Sequence, residues 1–204
     1  MQCASKFLIL AIMALLLFNM QIMAVPYTYL SGSNGYPDST GNELQDGYFP
    51  LAYSNNVDQW VGIGPYVHMI PVFNFGQATT LNSLSVFVHS GNAGIGMPAG
   101  IAVSFSNDGV NFSNTQTYTT PSSYIADQCF PNSSLTGSLD FTLSGDVSTR
   151  TAQYIKVDIS NSIYYWIFIG EVSFNTSTTI PEMNTIACLI LGSLSIAFAR
   201  MVKK

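Results

Sequence analysis

The chain has 204 residues, of which only 8% are charged, and its formal net charge at pH 7 is −5. Hydrophobic residues make up 48% of the chain and aromatic residues 13%. This composition excludes intrinsic disorder, and the scarcity of lysine and arginine excludes nucleic-acid binding, which requires basic side chains to neutralise phosphates.

Residues 1–24 have the order of features expected of a secretory signal peptide. Lys6 supplies a positive charge, an apolar run follows at residues 7–18, and Ile22 and Ala24 occupy positions −3 and −1 of a cleavage site. The apolar run is shorter than the roughly 20 residues that a membrane-spanning helix needs. The sequence therefore favours export with cleavage after Ala24 over the alternative, an N-terminal membrane anchor.

Residues 25–179 form the predicted globular domain, and most of its charged residues are acidic. Arg150 and Lys156 are its only basic residues, while ten of the eleven acidic residues of the chain fall within it, which gives a net charge of −8. Its single cysteine, Cys129, cannot form an intrachain disulfide, so the fold must rely on a hydrophobic core or a bound metal.

Nine short segments of this domain are rich in β-branched and aromatic residues and are separated by Gly, Asn, Ser, Pro and Asp, a pattern that predicts strands. They are residues 27–30, 59–63, 66–75, 84–89, 101–106, 115–119, 139–143, 153–159 and 163–174. Asn107-Asp108-Gly109 is a turn signal between two of them. The spacing predicts an all-β antiparallel sandwich or jelly roll.

Residues 180–204 form a second hydrophobic segment, with an apolar run at residues 186–199 closed by Arg200, Lys203 and Lys204. Extended by a few residues at both ends, the run is long enough to cross the roughly 30 Å hydrocarbon core as a helix. The terminal basic residues favour a cytoplasmic C-terminus. The alternative is a helix buried in the domain. The polar linker before the segment favours a separate transmembrane helix.

Ile180-Pro181-Glu182-Met183, followed by the apolar run and the basic end, resembles the PEP-CTERM sorting signal of Gram-negative bacteria. The resemblance implies an inner-membrane-anchored precursor that an exosortase-type enzyme recognises at Pro181 and Glu182. The cut product would be released or attached at the cell surface or in the extracellular matrix. The family usually has Pro-Glu-Pro, and Met183 stands in place of the second proline.

A series of short motifs runs through residues 27–174. They are Tyr-Pro-Asp-Ser at 36–39, Glu-Leu-Gln-Asp-Gly at 43–47, Trp-Val-Gly at 60–62, Phe-Asn-Phe-Gly at 73–76, Ser-Asn-Asp-Gly at 106–109 and Ile-Gly-Glu-Val at 169–172. In this order the motifs resemble the discoidin, or coagulation factor 5/8 type C, family. The resemblance implies a galactose-binding-like jelly-roll β-sandwich, flanked here by the signal helix and the C-terminal hydrophobic helix.

The resemblance also implies a metal site. Relatives with this fold often hold calcium near the first strand, through an Asp of an Asp-Gly loop, nearby carbonyls and a Glu of the last strand. Those residues correspond to Asp46 and Glu171, and Asp38 and Glu43 lie in the same loop. Calcium prefers such hard oxygen ligands. One structural calcium is therefore expected; the alternative is that these are ordinary turn or surface carboxylates.

A ligand site is expected in the loops at one end of the sandwich. The resemblance implies His89 and Asn92 as polar contacts, and Tyr36 and Tyr48 offer flat faces to a sugar ring. Sugar-binding relatives often carry an arginine in the loop after residues 84–89, and this chain has none. The alternative is that His89 merely ends a strand and that the tyrosines pack against the mouth of the sandwich.

Motifs for catalysis are missing from the sequence: no Gly-x-Ser-x-Gly elbow and no His/Cys cluster for zinc occurs. The expected function is therefore an exported, surface- or matrix-associated, non-enzymatic module that contacts extracellular polysaccharide. One alternative is a structural or interaction domain whose partner is a surface protein. A further alternative is a hydrolase, because sandwich folds also host such enzymes.

Overall fold

A computed structural model describes residues 24–32, 36–50, 59–90, 94–121, 136–162 and 164–177. The predicted signal segment before Ala24, the predicted tail with Pro181 and Glu182, and Asn92 lie outside the described residues. Their proposed roles and the domain boundaries therefore stay predictions. Within the described part, no helix is long and apolar enough to cross a membrane.

Eight strands dominate the described residues, and all of their ladders are antiparallel. They are β1 (Tyr27–Ser31), β2 (Val61–Ile63), β3 (His68–His89), β4 (Gly100–Ser106), β5 (Ser113–Thr119), β6 (Thr136–Thr142), β7 (Thr151–Ser160) and β8 (Ile167–Ser177). Two short 3-10 helices, η1 (Glu43–Gln45) and η2 (Val147–Arg150), lie between strands.

Strand β3 is bent and belongs to both layers of the sandwich. Its first half pairs with β1 and β7, and its second half pairs with β6 and β8. The register with β7 shifts between Asn74 and Thr79, and Gly76 inside this interval has a φ of 71°. The result is a five-stranded sheet in the order β1-β3-β7-β4-β5 and a four-stranded sheet in the order β2-β8-β3-β6.

The core lies between these two sheets. In the central strands of both sheets, alternate residues point inward and are buried, as period-2 side-chain alternation requires, whereas the edge strands β1 and β5 contain no buried residue. Phe73 and Val157 come from the five-stranded sheet, and Val86 and Ile169 come from the four-stranded sheet. Burial of each such side chain contributes about 1.5–3 kcal/mol relative to exposure, so the fold does not need a disulfide.

A second, smaller aromatic layer covers the outer face of the four-stranded sheet. Phe87 and Phe168 alternate with the inward-facing residues of β3 and β8, and Trp60 stacks on Phe87 with ring centroids 6.1 Å apart. The outer face of the five-stranded sheet is different, because it presents exposed polar side chains such as His68 and Thr117.

The predicted antiparallel β-sandwich is confirmed, with two differences in detail. The segments predicted at 66–75 and 84–89 are parts of one bent strand, because the polar stretch after Gly76 continues the ladder. The last strand begins at Ile167 and not at residue 163, because Tyr164 and Tyr165 form a bend before it. An apolar run alone does not distinguish a strand from an exposed aromatic turn.

Gly76→Ala tests whether the bend depends on glycine. A Cβ atom at Gly76 would meet nothing within 4 Å, so the cost comes from the positive φ alone, about 1 kcal/mol for an L-residue. Gly32 is equally open but lacks a positive φ, which makes Gly32→Ala a matched control. In urea unfolding, Gly76→Ala should lower the free energy of unfolding by about 1 kcal/mol, and Gly32→Ala should leave it nearly unchanged. Equal effects would contradict the assignment.

Candidate functional site

The starts and ends of several strands meet at one end of the sandwich, which we call the loop end. His68 at the start of β3 pairs with Ser160 at the end of β7, and His89 at the end of β3 pairs with Phe168 near the start of β8. The loops that join these strands therefore lie next to one another. The opposite end contains the β3 bend and is called the bend end.

Asn161 ties two loops of the loop end together. Its buried side-chain amide donates hydrogen bonds to the carbonyl oxygens of Gly64 and Tyr165, both at 2.8 Å. Its backbone N–H donates to the carbonyl of Val67 at 3.0 Å. A buried amide that satisfies several carbonyls is costly to displace, so the 64–67 loop and the 164–165 bend are held in fixed positions.

These two loops carry the exposed tyrosines of the loop end. The residues Tyr66 and Tyr164 are 66% and 76% exposed. Tyr66 has a φ of 59°, a left-handed conformation that is rare for a bulky residue. Tyr165 is half-buried and makes an edge contact with Tyr164, with ring centroids 6.5 Å apart. We call these three residues the tyrosine rim, a set of flat apolar faces with polar hydroxyls, held on fixed loops.

Tyr36, one of the predicted ligand residues, packs against aromatic side chains of the loop end. Its ring meets Trp166 and Phe168 edge-on, with centroids 5.3 and 4.8 Å away. The close approach depends on Gly62, because a Cβ atom there would lie 2.6 Å from the Cβ of Tyr36. Tyr36 therefore packs in the aromatic layer, as the alternative stated from the sequence describes.

His89 is placed differently from the predicted ligand contact. It is the last residue of β3, it is fully buried, and its ring lies 5.5 Å from that of Trp60. The structure thus gives His89 a packing role. Tyr48 is exposed, but it belongs to the acidic loop described below, where its N–H donates to Asp46 Oδ1 at 2.7 Å.

The sequence reasoning missed Tyr66 and Tyr164. Tyr66 follows a Gly-Pro pair at residues 64–65, which is a turn signal that could have marked it as exposed. Tyr164 lies in the run Ile-Tyr-Tyr-Trp at 163–166, which has the apolar character of a buried strand. Only the tertiary structure shows that Tyr164 and Tyr165 form a bend before the strand.

The acidic loop, residues 38–48, contacts both β1 and β8. Asp38 Oδ2 accepts hydrogen bonds from the hydroxyls of Tyr27 and Tyr29, the latter at 2.8 Å. Burial, together with the Asp38 carboxylate, raises the pKa of both hydroxyls far above the usual range. Asp38 therefore fastens this loop to β1.

Glu43 is linked to Asp38 through its backbone N–H, which donates to Asp38 Oδ1 at 3.3 Å, while its carboxylate has contacts of its own. Its Oε1 accepts hydrogen bonds from the Ser39 hydroxyl and the Thr40 N–H, both at 3.1 Å. Its Oε2 is buried and has no hydrogen-bond partner among the described residues. A buried carboxylate oxygen without a partner is unfavourable unless a cation or water meets it.

Asp46 and Glu171 are brought together, as predicted. The Gly47 N–H donates to Glu171 Oε2 at 3.0 Å, which joins the loop to β8. Burial, followed by the neighbouring Asp46 carboxylate, raises the pKa of Glu171 to about 8, although the Gly47 hydrogen bond acts in the opposite direction. Two adjacent carboxylates that cannot easily both be ionised fit a site for a proton or a cation.

The four predicted metal ligands do not form one cluster. Within the described part of the chain, no three His, Cys, Asp or Glu side chains are grouped as a metal site. Asp46 and Glu171 form a pair, whereas Asp38 and Glu43 belong to another hydrogen-bond network, in which the Glu43 N–H donates to Asp38 Oδ1 at 3.3 Å. A calcium ion at the pair would have to take its remaining oxygen ligands from carbonyls or water.

No family model and no curated protein matches the chain. Solved structures do match. A mutant of the lectin-binding domain of lectinolysin, complexed with Lewis b, has 10% sequence identity and a TM-score of 0.51, and the match covers 75% of this chain and 93% of that chain. This likeness agrees with the antiparallel β-sandwich described above.

Two further structures match at slightly lower TM-scores. A fucose-binding module of Streptococcus pneumoniae has 11% identity and a TM-score of 0.49, with 76% of this chain and 95% of that chain covered. CBM32-3 from a family 31 glycoside hydrolase of Clostridium perfringens has 13% identity and a TM-score of 0.49, with 76% and 90% covered.

The raised pKa of Glu171 predicts a pH-dependent stability in cation-free buffer. The folded state holds the Glu171 proton more tightly than the unfolded state, where the pKa has its usual value of 4.5, so loss of the proton favours unfolding. The stabilisation is complete below about pH 4.5 and is lost as the pH rises through about 8.

The measurement compares melting temperatures of the 25–179 fragment and its Glu171→Gln variant, both with a chelator present. We expect the wild-type melting temperature to fall relative to that of the variant as the pH rises from about 5 to about 9. Parallel curves over this range would show that Glu171 has an ordinary pKa.

Proposed function

We propose that residues 25–179 form an exported, non-enzymatic module that binds extracellular carbohydrate through the tyrosine rim. The observation that carries the proposal is the exposure of Tyr66 and Tyr164 on two loops fixed by Asn161. The lectinolysin domain, which shares this fold, is complexed with the glycan Lewis b, and this supports a sugar as the ligand class here.

The chemistry of the rim suits a sugar ring. A pyranose has an apolar C–H face that packs against a tyrosine ring, while its hydroxyls hydrogen-bond to polar groups nearby. Because the loops are already held in place, binding does not have to order them, and less binding energy is lost. The low charge of the chain also favours a neutral ligand over an anionic one.

A second candidate is a protein-interaction module, because exposed tyrosine and tryptophan side chains are also enriched at protein interfaces. Tyr66 and Tyr164 would then anchor a surface protein. The two candidates use the same residues and differ in the ligand, so a glycan screen separates them.

Removal of the rim should abolish or weaken glycan binding. On a glycan array, the 25–179 fragment should bind at least one glycan, and Tyr66→Ala and Tyr164→Ala should each weaken that binding roughly tenfold, since one aromatic contact contributes about 1.5 kcal/mol. Val110→Ala is the control, because Val110 is exposed in the β4–β5 turn at the bend end. If the fragment binds no glycan on the array, the carbohydrate proposal is wrong and the protein-interaction module is the remaining candidate.

We also propose one structural calcium at the Asp46–Glu171 pair. The adjacent carboxylates and the raised pKa of Glu171 support a cation there. Calcium would neutralise the pair, pin the acidic loop to β8 and have no catalytic part. Its hard oxygen ligands match those that calcium prefers.

The melting experiment described for Glu171 contains the test of this proposal. Calcium should raise the melting temperature of the wild-type fragment, more at about pH 8 than at about pH 5, because the proton and the cation compete for the same carboxylate. Asp46→Ala should remove the calcium response. Asp140→Ala changes an aspartate on β6 and should retain it. If calcium does not change the melting temperature of the wild-type fragment, the carboxylates are ordinary surface groups and the proposal is wrong.

We propose that the two ends of the chain direct export and attachment. The support is the order of features in residues 1–24 and the Pro181-Glu182 motif before an apolar run with basic residues at its end. The precursor would lie in the inner membrane of a Gram-negative bacterium until an exosortase-type enzyme acts on it.

Mass spectrometry of the native surface protein tests this route. The expected mature chain begins at Val25 and ends near Pro181. A chain that still ends at Lys204 in the membrane would rule out processing and leave a simple anchor. A soluble secreted form that retains the tail would rule out both.

A further inference from the structure

The outer face of the five-stranded sheet contains a groove at its loop end. The groove crosses β3, β7, β4 and β5 and has a volume of about 290 Å³. Strand pairing arranges its side chains in two adjacent rows. One row is Asp158, Ala102 and Thr117, and the next is His68, Ser160, Gly100 and Thr119.

Small residues line the middle of the groove, and polar residues line its two sides. Gly100 and Ala102 form the floor, and at Gly100 a Cβ atom would come within 2.9 Å of the Tyr118 carbonyl oxygen, so the position excludes a larger side chain. His68 and Asp158 lie on one side, and the exposed Thr117 and Thr119 lie on the other. Small central residues between polar sides make a trough.

The wall formed by His68 and Asp158 is ordered. His68 Nδ1 and Asp158 Oδ1 are 2.7 Å apart, while the two side chains keep exposures of 53% and 29%. This contact uses one ring nitrogen and one carboxylate oxygen. The second nitrogen and the second oxygen remain available for a ligand, and a carboxylate paired with an imidazole is a strong acceptor of hydrogen bonds from hydroxyl groups.

We propose that this trough is a second binding site, separate from the tyrosine rim, for one neutral sugar residue. The ring would lie over Gly100 and Ala102, with hydroxyls bonded to Asp158 and His68 on one side and to Thr117 on the other. The volume is at the small end of ligand sites and suits a single ring.

Charge limits the ligand class. No lysine or arginine is among the residues that line the trough in the described part of the chain, and the trough carries the Asp158 carboxylate, so an anionic sugar is disfavoured. The choice of a sugar as the ligand of the trough rests on the proposed carbohydrate-binding function, whereas the trough itself is described independently of it. Two sites on one module would increase the retention of a polymeric ligand through multivalency.

The two histidines of the chain permit a test that separates the sites. His68 forms a wall of the trough, whereas His89 is buried against Trp60 at the loop end. The full chain, in a zwitterionic detergent without sugar groups, is titrated with the methyl glycosides of galactose, glucose and mannose while the imidazole signals are followed by NMR. At least one glycoside should shift the His68 signals in a saturable way and leave those of His89 unchanged.

Three variants complete the experiment. Asp158→Asn should weaken the binding seen at His68 roughly tenfold, because a hydrogen bond to a charged acceptor is lost. Ala102→Leu fills the trough on an accessible sheet surface and should abolish that binding. Asp140→Asn makes the same chemical change on β6, where Asp140 accepts a hydrogen bond from Ser85, and should have no effect.

The proposal fails if none of the three glycosides shifts the His68 signals, or if Asp158→Asn and Ala102→Leu bind as the wild type does. Failure of the tyrosine rim has a different signature: Tyr66→Ala and Tyr164→Ala would then leave glycan binding intact while the His68 response persists.

Discussion

The bend in β3 is the constraint on which the rest of the molecule depends. One strand of 22 residues crosses from one sheet to the other and pairs with four neighbours, so both layers are tied to a single piece of backbone. The bend brings His68 and His89, the two ends of β3, back to the same end of the sandwich. The loop end exists because of this return, and the fixed loops that carry the tyrosine rim follow from it.

Loops and sheet faces then divide the molecule into different surfaces. The acidic loop is fastened to β1 through Asp38 and to β8 through Glu171, and the aromatic layer around Trp60 covers the adjacent face of the four-stranded sheet. The outer face of the five-stranded sheet keeps polar side chains exposed. Burial on one side and exposure on the other leave accessible the two surfaces proposed above to bind a ligand, the tyrosine rim and the trough.

The period-2 pattern of buried residues predicts most strands correctly, because burial between two sheets imposes alternation directly on the sequence. It does not predict that β3 is continuous, because Gly76 and the polar residues after it resemble a loop. The Asp46–Glu171 pair was predicted from a family resemblance and not from the residues alone. The hydrogen-bond network that joins Asp38 and Glu43 could not be predicted, since it depends on tyrosine hydroxyls and loop geometry. Tyr66 was missed although the Gly-Pro pair before it signals a turn, and Tyr164 was missed because its exposure is a property of the tertiary structure.

The bend end has a consequence for how the module is presented. Ala24 and Thr176 line the same cavity there, and Ser177 pairs with Thr80 just after the bend, so the chain enters and leaves the sandwich at one pole. The tyrosine rim occupies the other pole. A tether that continues from β8 would therefore hold the module by its base and direct the rim away from the point of attachment.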